Sequence, residues 1–424
     1  MRILMVNKFL YRRGGSEAVF LGEMDLLRRA GHTVIPFGMA HERNGAAAPE
    51  PRSLVSSVEF TSPRPGLRRR AAMAMRVVYS REAYRKILAV CRQARPQVAH
   101  LHNIAHHLSP SILHALARLR LPMVMTLHDY KVVCPAYTLR TGGAVCTRCR
   151  GGRYLHAIRR RCVGGSVLRS TAAALETSLH RGLLHSYDRV NRFLSPSRFL
   201  ADTVREMGFP HPVQRLANFI RPEPVPETAP VAGRILYAGR LSPEKGIRTL
   251  LRAVQGTRLR LRVAGTGPLE AELREQAAGL RGDRVEFLGH LPPADLAREH
   301  AAACLSVVPS ECYENQPLAV LESYAHARPV VAARIGGLPE IVAEGETGVT
   351  FPPGEAAGLR RALLSLAERP EHCLALGRRA VDYIRRQHSP EDHLRGLEAV
   401  YRGLVTRRSP VPDALPARET HGAH

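Results

Sequence analysis

Pro309-Ser310-Glu311-Cys312-Tyr313-Glu314-Asn315-Gln316-Pro317-Leu318-Ala319-Val320-Leu321-Glu322 stands between two short apolar runs, Cys304–Val308 and Pro329–Ala333. Runs of that length, bounded by turn residues, read as buried strands, so the stretch between them reads as the loop and helix that join one parallel strand to the next. Open parallel sheets bind ligands beyond the carboxyl ends of their strands. Glu314 and Glu322, eight positions apart across the loop and helix, suit a polyhydroxylated ligand there, because an ionised carboxylate accepts hydrogen bonds from neighbouring hydroxyls. Nucleotides and sugars are two such ligands.

Outward from this stretch the same rhythm repeats. Arg234–Ala238, Leu259–Ala264, Val285–Leu288 and Gly348–Phe351 read as further strands separated by helical patterns, which gives a doubly wound parallel sheet. Near the amino terminus, Met1–Val6 reads as a strand, Gly14-Gly15-Ser16-Glu17 as a glycine turn, Ala18–Ala30 as a helix stopped by Gly31, and Thr33–Phe37 as the next strand. Val98–Leu101 and Met123–Thr126 continue the alternation. The fold class is therefore α/β, with two Rossmann-like doubly wound domains. Arg221–Pro230 is polar and proline-rich, unable to sustain a helix or central strand, and reads as the linker. The expected organisation is a first domain over 1–222, interrupted by a cysteine-rich insertion at about 134–165, and a second domain over 223–387. A carboxy-terminal helix over 388–408, returning toward the first domain, and a disordered proline-rich tail over 409–424 complete it.

At 424 residues the chain exceeds one typical core. Its opening apolar run is only four residues, below the roughly 7–15 of a signal peptide, and no segment approaches the ~20 residues of a membrane span. The expected location is the cytoplasm, with peripheral attachment to a membrane open. The formal charge of +25 invites a nucleic-acid reading, but lysine occurs only at Lys8, Lys86, Lys131 and Lys245, so the excess is arginine and can reflect genome base composition. Nucleic acid is not the expected partner. Two clusters stand out as candidates for anionic lipid headgroups: Arg64–Arg70, opening an amphipathic helix to about Leu88, and Arg159-Arg160-Arg161. A solvated helix face explains each cluster equally well.

Three further loops fall at strand ends. Gly239-Arg240-Leu241-Ser242-Pro243-Glu244-Lys245-Gly246 offers two cations beside a helix start, with Ser242 as N-cap and Pro243 as first helical residue. Side-chain charge, free backbone N–H groups and the helix dipole add there into a diphosphate site. Gly265-Thr266-Gly267 and Gly336-Gly337 are glycine turns that alone signify only tight βα connections.

Taken in order, Gly14-Gly15-Ser16-Glu17, Gly239–Gly246, Gly265-Thr-Gly267 and Glu314-x7-Glu322 resemble the retaining glycosyltransferases of family 4, over residues 1 to about 405. The resemblance implies the GT-B fold and metal-independent transfer of a sugar from a nucleotide-sugar donor. It implies that Arg240 and Lys245 hold the donor diphosphate, that Glu322 accepts from the ribose, and that Glu314 binds hydroxyls of the transferred sugar. The backbone at Asn315, Gln316, Pro317 and Leu318 borders sugar and phosphates, with Gly265 and Gly267 beside them. Gly14 and Gly15 approach the phosphates from the opposite domain, and His128 faces the sugar. The form Glu311-Cys-Tyr-Glu314-Asn-x-Pro-Leu318 is similar to enzymes of bacterial exopolysaccharide and surface-polysaccharide assembly, whose acceptors are glycans or lipid-linked oligosaccharides. The chain departs from the common pattern at Asn315-Gln316-Pro317, where Gly-Phe-Gly is usual. Glu311 is expected to be a loop carboxylate at the cleft.

Cys134, Cys146, Cys149 and Cys162 lie in a segment with little helix or strand pattern. Their spacing fits a structural zinc ion held by four thiolates, which would order a stretch too polar to bury its own core; unligated cytosolic thiols are the alternative. His156 is a spare ligand. His100, His102, His106 and His107 lack nearby carboxylates in sequence, which speaks against metal, and His102-Asn103 is expected to line the acceptor cleft. Two other classes remain open: a nucleotide-sugar epimerase on the same fold, and a basic binding protein without catalysis.

Overall fold

The computed structural model describes residues 1–45, 49–57, 75–224, 230–279 and 284–406. Its strands are β1 (Arg2–Val6), β2 (Thr33–Phe37), β3 (Val98–Leu101), β4 (Met123–Thr126), β5 (Arg140–Thr141), β6 (Ala144–Val145), β7 (Arg192–Ser195), β8 (Val213–Arg215), β9 (Arg234–Ala238), β10 (Arg260–Ala264), β11 (Val285–Gly289), β12 (Leu305–Val308), β13 (Val330–Ala333) and β14 (Gly348–Phe351). They form two six-stranded sheets, ordered β2-β1-β3-β4-β7-β8 and β11-β10-β9-β12-β13-β14, and a small hairpin of β5 and β6. The pairings within the two large sheets are parallel. Helical crossovers cover both faces, which is why β3, β4, β12 and β13 are predominantly apolar and buried along their length.

In each sheet the strand order reverses once, between β1 and β3 in the first and between β9 and β12 in the second. Such a reversal opens a crevice at the carboxyl ends of the strands. The loops after β9 and β12 therefore meet, and they are the loops that carry Lys245 and Glu314.

The last helix, Pro390–Val405, leaves the second sheet and buries Leu397 and Tyr401 among Ile3, Met5, Phe20 and Leu27 of the first. Strands β7 and β8 go beyond the sequence expectation: Arg192-Phe-Leu-Ser and Val213-Gln-Arg are short and partly polar. The insertion also has more structure than its composition announces, with the hairpin and a short helix, Leu155–Arg159. The basic-cluster helix needs correction. Ser80 is extended, and its hydroxyl caps a separate helix, Arg81–Ala94, by accepting the Ala83 N–H at 3.2 Å, so no helix runs unbroken to Leu88. Arg64–Arg70 and the tail from 409 lie outside the described residues, as do residues 225–229 of the linker.

Candidate functional site

Lys245 Nζ donates to Glu314 Oε1 at 2.7 Å, and Ser310 Oγ donates to the same oxygen at 2.5 Å. Burial alone would lower the Lys245 ammonium, but the Glu314 carboxylate outweighs it and raises the group above its ordinary range. Lys245 sits differently from expectation. Pro243–Lys245 is a single 3₁₀ turn, Ser242 Oγ donates to Glu244 Oε1 at 2.6 Å instead of capping, and the α-helix begins only at Ile247, after Gly246. Arg240 is exposed, with its carbonyl receiving the Tyr237 hydroxyl at 2.8 Å.

The glycines have a steric duty beside any ligand role. A Cβ on Gly265, whose φ is +136°, would stand 1.9 Å from the Gly239 carbonyl oxygen, and one on Gly267 would stand 2.3 Å from that of Leu241. The two turns thus stack backbone on backbone. Gly337 does the same under the Glu314 loop, donating its N–H to the Glu314 carbonyl at 2.7 Å, with a Cβ there 1.9 Å from Asn315 O.

From the first domain, Gly14 precedes the helix Gly15–Arg29, and the Cβ position of Gly15 faces Leu318 at 3.9 Å. The glycine turn and the Glu314 loop are therefore opposite walls of one cleft. Arg12, which no motif marked, bridges that cleft: its Nη2 donates to Glu322 Oε1 at 3.0 Å. Burial raises the Glu322 carboxyl, with Arg12 opposing. Asn315 spans the domains too, accepting from Ser197 Oγ at 2.5 Å and donating to the Leu127 carbonyl at 3.2 Å. Gln316 Oε1 accepts the Asn218 N–H at 2.6 Å. The Asn315 side chain is thus committed to the facing domain and Gln316 Oε1 to the segment before the linker, where the Gln316 carbonyl also accepts from Asn218 Nδ2 at 3.1 Å. Glu311 accepts from Thr249 at 2.7 Å and lies 3.7 Å from Arg140 of the hairpin, a cleft carboxylate as expected.

His128 belongs to a buried relay that spacing could not reveal. Its Nε2 lies 2.8 Å from His102 Nδ1, and His102 Nε2 lies 3.2 Å from Glu23 Oε2. Glu23 Oε1 meets His393 Nε2 at 3.1 Å, while His393 Nδ1 is 2.7 Å from the Ala217 carbonyl and so must carry hydrogen. The carboxylate 3.2 Å from His102 Nε2, though outside hydrogen-bond geometry, favours the hydrogen on that nitrogen; His102 Nδ1 then accepts from His128 Nε2–H, and Nδ1 of His128 is a lone pair. Burial would raise the Glu23 carboxyl, but His102, His100 and His393 hold it well below the carboxylate range. Burial, then His102, depresses His128 to about 3. His100 is spent on Tyr401 at 2.7 Å and Thr126 at 2.8 Å.

Beside His128 opens a cavity of about 220 Å³, walled by Lys8, Arg13, His102, Asn103, Asp129 and Lys131 among others. Burial lowers Lys8 and raises Asp129. His102 and Asn103 both line it.

The four insertion cysteines gather without closing. Burial, then the neighbouring thiols Cys134, Cys146 and Cys162, push Cys149 up to about 12. Among the described residues, however, no three of these sulfurs lie within 4.8 Å of one another; the cluster that meets that limit is Glu23, His100 and His102, whose atoms already serve the relay. A tetrahedral zinc site with bonds of about 2.3 Å has sulfurs about 3.8 Å apart, so a metal would have to draw these thiols in.

Comparison with known proteins identifies the family and the fold. Residues 13–224 match the family model "Glycosyltransferase Family 4", and residues 232–369 match "Glycosyl transferases group 1". The D-rhamnosyltransferase WbpZ of Pseudomonas aeruginosa is 26% identical over 302 residues, 69% of this chain and 71% of that protein. Among solved structures, HepE of Anabaena in complex with UDP and glucose superposes with a TM-score of 0.65 at 17% identity, covering 95% of this chain and 100% of that one. The lipopolysaccharide outer core galactosyltransferase WaaB in its apo form does so with a TM-score of 0.63 at 13% identity, covering 95% and 100%. At these identities the two structures establish the fold, GT-B.

Proposed function

The chain belongs to glycosyltransferase family 4, and on that premise we propose that it moves a sugar from a nucleoside-diphosphate sugar to a glycan or lipid-linked oligosaccharide in surface or exopolysaccharide assembly. The observation that carries the reading is the Lys245–Glu314 pair at the strand-order reversal, opposite Gly14-Gly15. In this reading Arg240 and Lys245 take the diphosphate, and their charge stabilises it as it leaves, without a catalytic metal. Glu314 accepts from hydroxyls of the sugar. Glu322 exchanges Arg12 for the ribose, and the freed Arg12 guanidinium turns to the phosphates. His128, its tautomer set through His102 by Glu23, offers Nδ1 as acceptor to a sugar hydroxyl. The bond from anomeric carbon to phosphate oxygen breaks, the acceptor oxygen bonds on the same face, and the acceptor proton passes to the departing phosphate, so configuration is retained.

The relatives support the class: WbpZ is by name a rhamnosyltransferase, HepE was solved with UDP and glucose, and WaaB is by name a lipopolysaccharide outer core galactosyltransferase. No helix among the described residues is long and apolar enough to cross a membrane, and the proposed place of action is the cytoplasmic face of one. For the insertion we retain structural zinc, which would stabilise the thiolates that burial disfavours at Cys134 and Cys149. About one zinc per chain in purified protein, removed by chelation with loss of thermal stability, is expected; metal-free protein of unchanged stability would end the idea.

The experiment for the main reading is a thermal-shift screen with nucleoside-diphosphate sugars, followed by incubation with the stabilising donor with and without acceptor. A ligand at about 100 times its dissociation constant adds roughly 2.7 kcal/mol. Stabilisation by none of them would reject the proposal, and an epimerised donor formed without acceptor would move the chain to the epimerase class.

A further inference from the structure

Within residues 140–185 the chain has nine arginines, no lysine and one acidic residue, Glu176. Genome bias toward arginine replaces lysine, but it does not remove carboxylates, so this imbalance is local and needs its own cause. Glu176 cannot balance it: the side chain is buried and bound to Lys131 Nζ at 2.5 Å. Arg153, Arg159, Arg160, Arg161 and Arg169 are exposed.

The same segment carries exposed apolar side chains that a soluble surface does not need. Leu155, Leu168, Leu175 and Leu183 are 66%, 62%, 58% and 73% exposed. Leu168 and Leu175 lie seven positions apart on the helix Val167–Ser178, hence on one face. Leu183 ends the π-helical turn Leu179–Leu183 that continues it. Leu155 opens the helix Leu155–Arg159, and its neighbour Tyr154 receives Arg181 Nη1 at 2.7 Å, which ties that helix to the π turn.

Leucines projecting among exposed arginines match the interface of an anionic bilayer, where acyl chains take the apolar groups and headgroup phosphates take the guanidiniums. We propose that this face, residues 153–183, docks the protein on an anionic lipid surface. Its placement adds a functional reason. The inner side of the helix Val167–Ser178 holds Glu176 against Lys131, and Lys131 lines the cavity beside His128. Only the thickness of one helix, about 10 Å, then separates the lipid surface from that cavity, a step that a lipid-linked acceptor headgroup can make. The docking surface stands on exposure and charge and does not depend on the donor chemistry; its link to the cavity rests on the glycosyltransferase reading.

The test is co-sedimentation of full-length protein with vesicles of phosphatidylcholine alone or mixed with phosphatidylglycerol, at low and high salt. Binding to the anionic vesicles is expected, at least about tenfold stronger than to the neutral ones and weakened by salt. The L168E/L175E and R159E/R160E/R161E variants should each lose about tenfold or more while keeping the nucleotide-sugar thermal shift, which separates failure of docking from failure of the donor site. Because the chain has no tryptophan, Leu168→Trp supplies a reporter that needs no loss of function. Its indole emission should shift to the blue on adding anionic vesicles. Equal partition to both vesicles, full binding by L168E/L175E, or an unshifted emission from the Leu168→Trp variant would overturn the proposal. So would a dimer in solution that the leucine variant dissociates, which would make the face a contact between copies.

Discussion

Lys245 and Glu314 are the residues on which the proposed chemistry rests. Lys245→Ala removes the partner of a buried carboxylate and the cation proposed for the leaving diphosphate. Transfer should fall by about 10²–10³-fold, the usual loss for one charge-stabilising group, with the far-ultraviolet spectrum unchanged. A wild-type rate would refute the diphosphate assignment. Glu23→Gln acts at one remove. The amide replaces the carboxylate shared by His102 and His393, and breaking a buried pair costs about 3–5 kcal/mol, so denaturant titration should show a large loss. The kcat of whatever folds should drop as well, because His128 loses its fixed tautomer. Both glutamates of the Glu314-x7-Glu322 pair, and Lys245, were legible in sequence because a loop motif keeps its spacing. Glu23 and Arg12 were not: each meets its partner across tens to hundreds of residues, and no periodicity records that.

At the scale of elements, the cleft is assembled from turns that touch through their backbones. Gly265→Ala would drive a methyl into the Gly239 carbonyl at a φ that alanine avoids, with no flexible side chain to yield. A loss of about 3 kcal/mol or more in urea unfolding is expected, together with weaker donor binding because the Gly239–Gly246 loop is displaced. The sequence marked this turn as glycine-rich and left its meaning open; the facing loop supplies it. Likewise Asn315, where the chain departs from the common family pattern, proves to be a bridge to Ser197 and Leu127. Asn315→Ala should loosen the domains, raising the donor KM more than it lowers kcat.

The whole molecule is closed by its carboxy-terminal helix, which returns from the second sheet to fill the core of the first and sets His393 on Glu23. Ending the chain at residue 388 should abolish cooperative unfolding of the first domain, read by calorimetry, even though no strand is removed. Acid should also act on the molecule as a unit. Burial depresses His100, His128 and His300 to about 3 and His388 to about 4. Unfolded chain takes up these protons below about pH 6.5 while the folded chain does not, so stability falls as pH drops from 6.5, by up to about 1.4 kcal/mol per pH unit for each group. The lowered Glu23 carboxyl adds its loss at more acid pH, in the same direction. The melting temperature should therefore decline from near pH 6.5, well before ordinary carboxylates titrate; a flat profile to pH 5 would contradict the neutral buried histidines. By itself the sequence determined the two parallel sheets and the strand-end loops that carry Lys245 and Glu314, because hydrophobic alternation and turn chemistry act over a few residues. Only the tertiary structure decided the Glu23 relay, the Arg12 bridge, the Asn315 latch and the arginine-ringed leucine face. Those depend on which distant segments share one small volume, and that is fixed by packing.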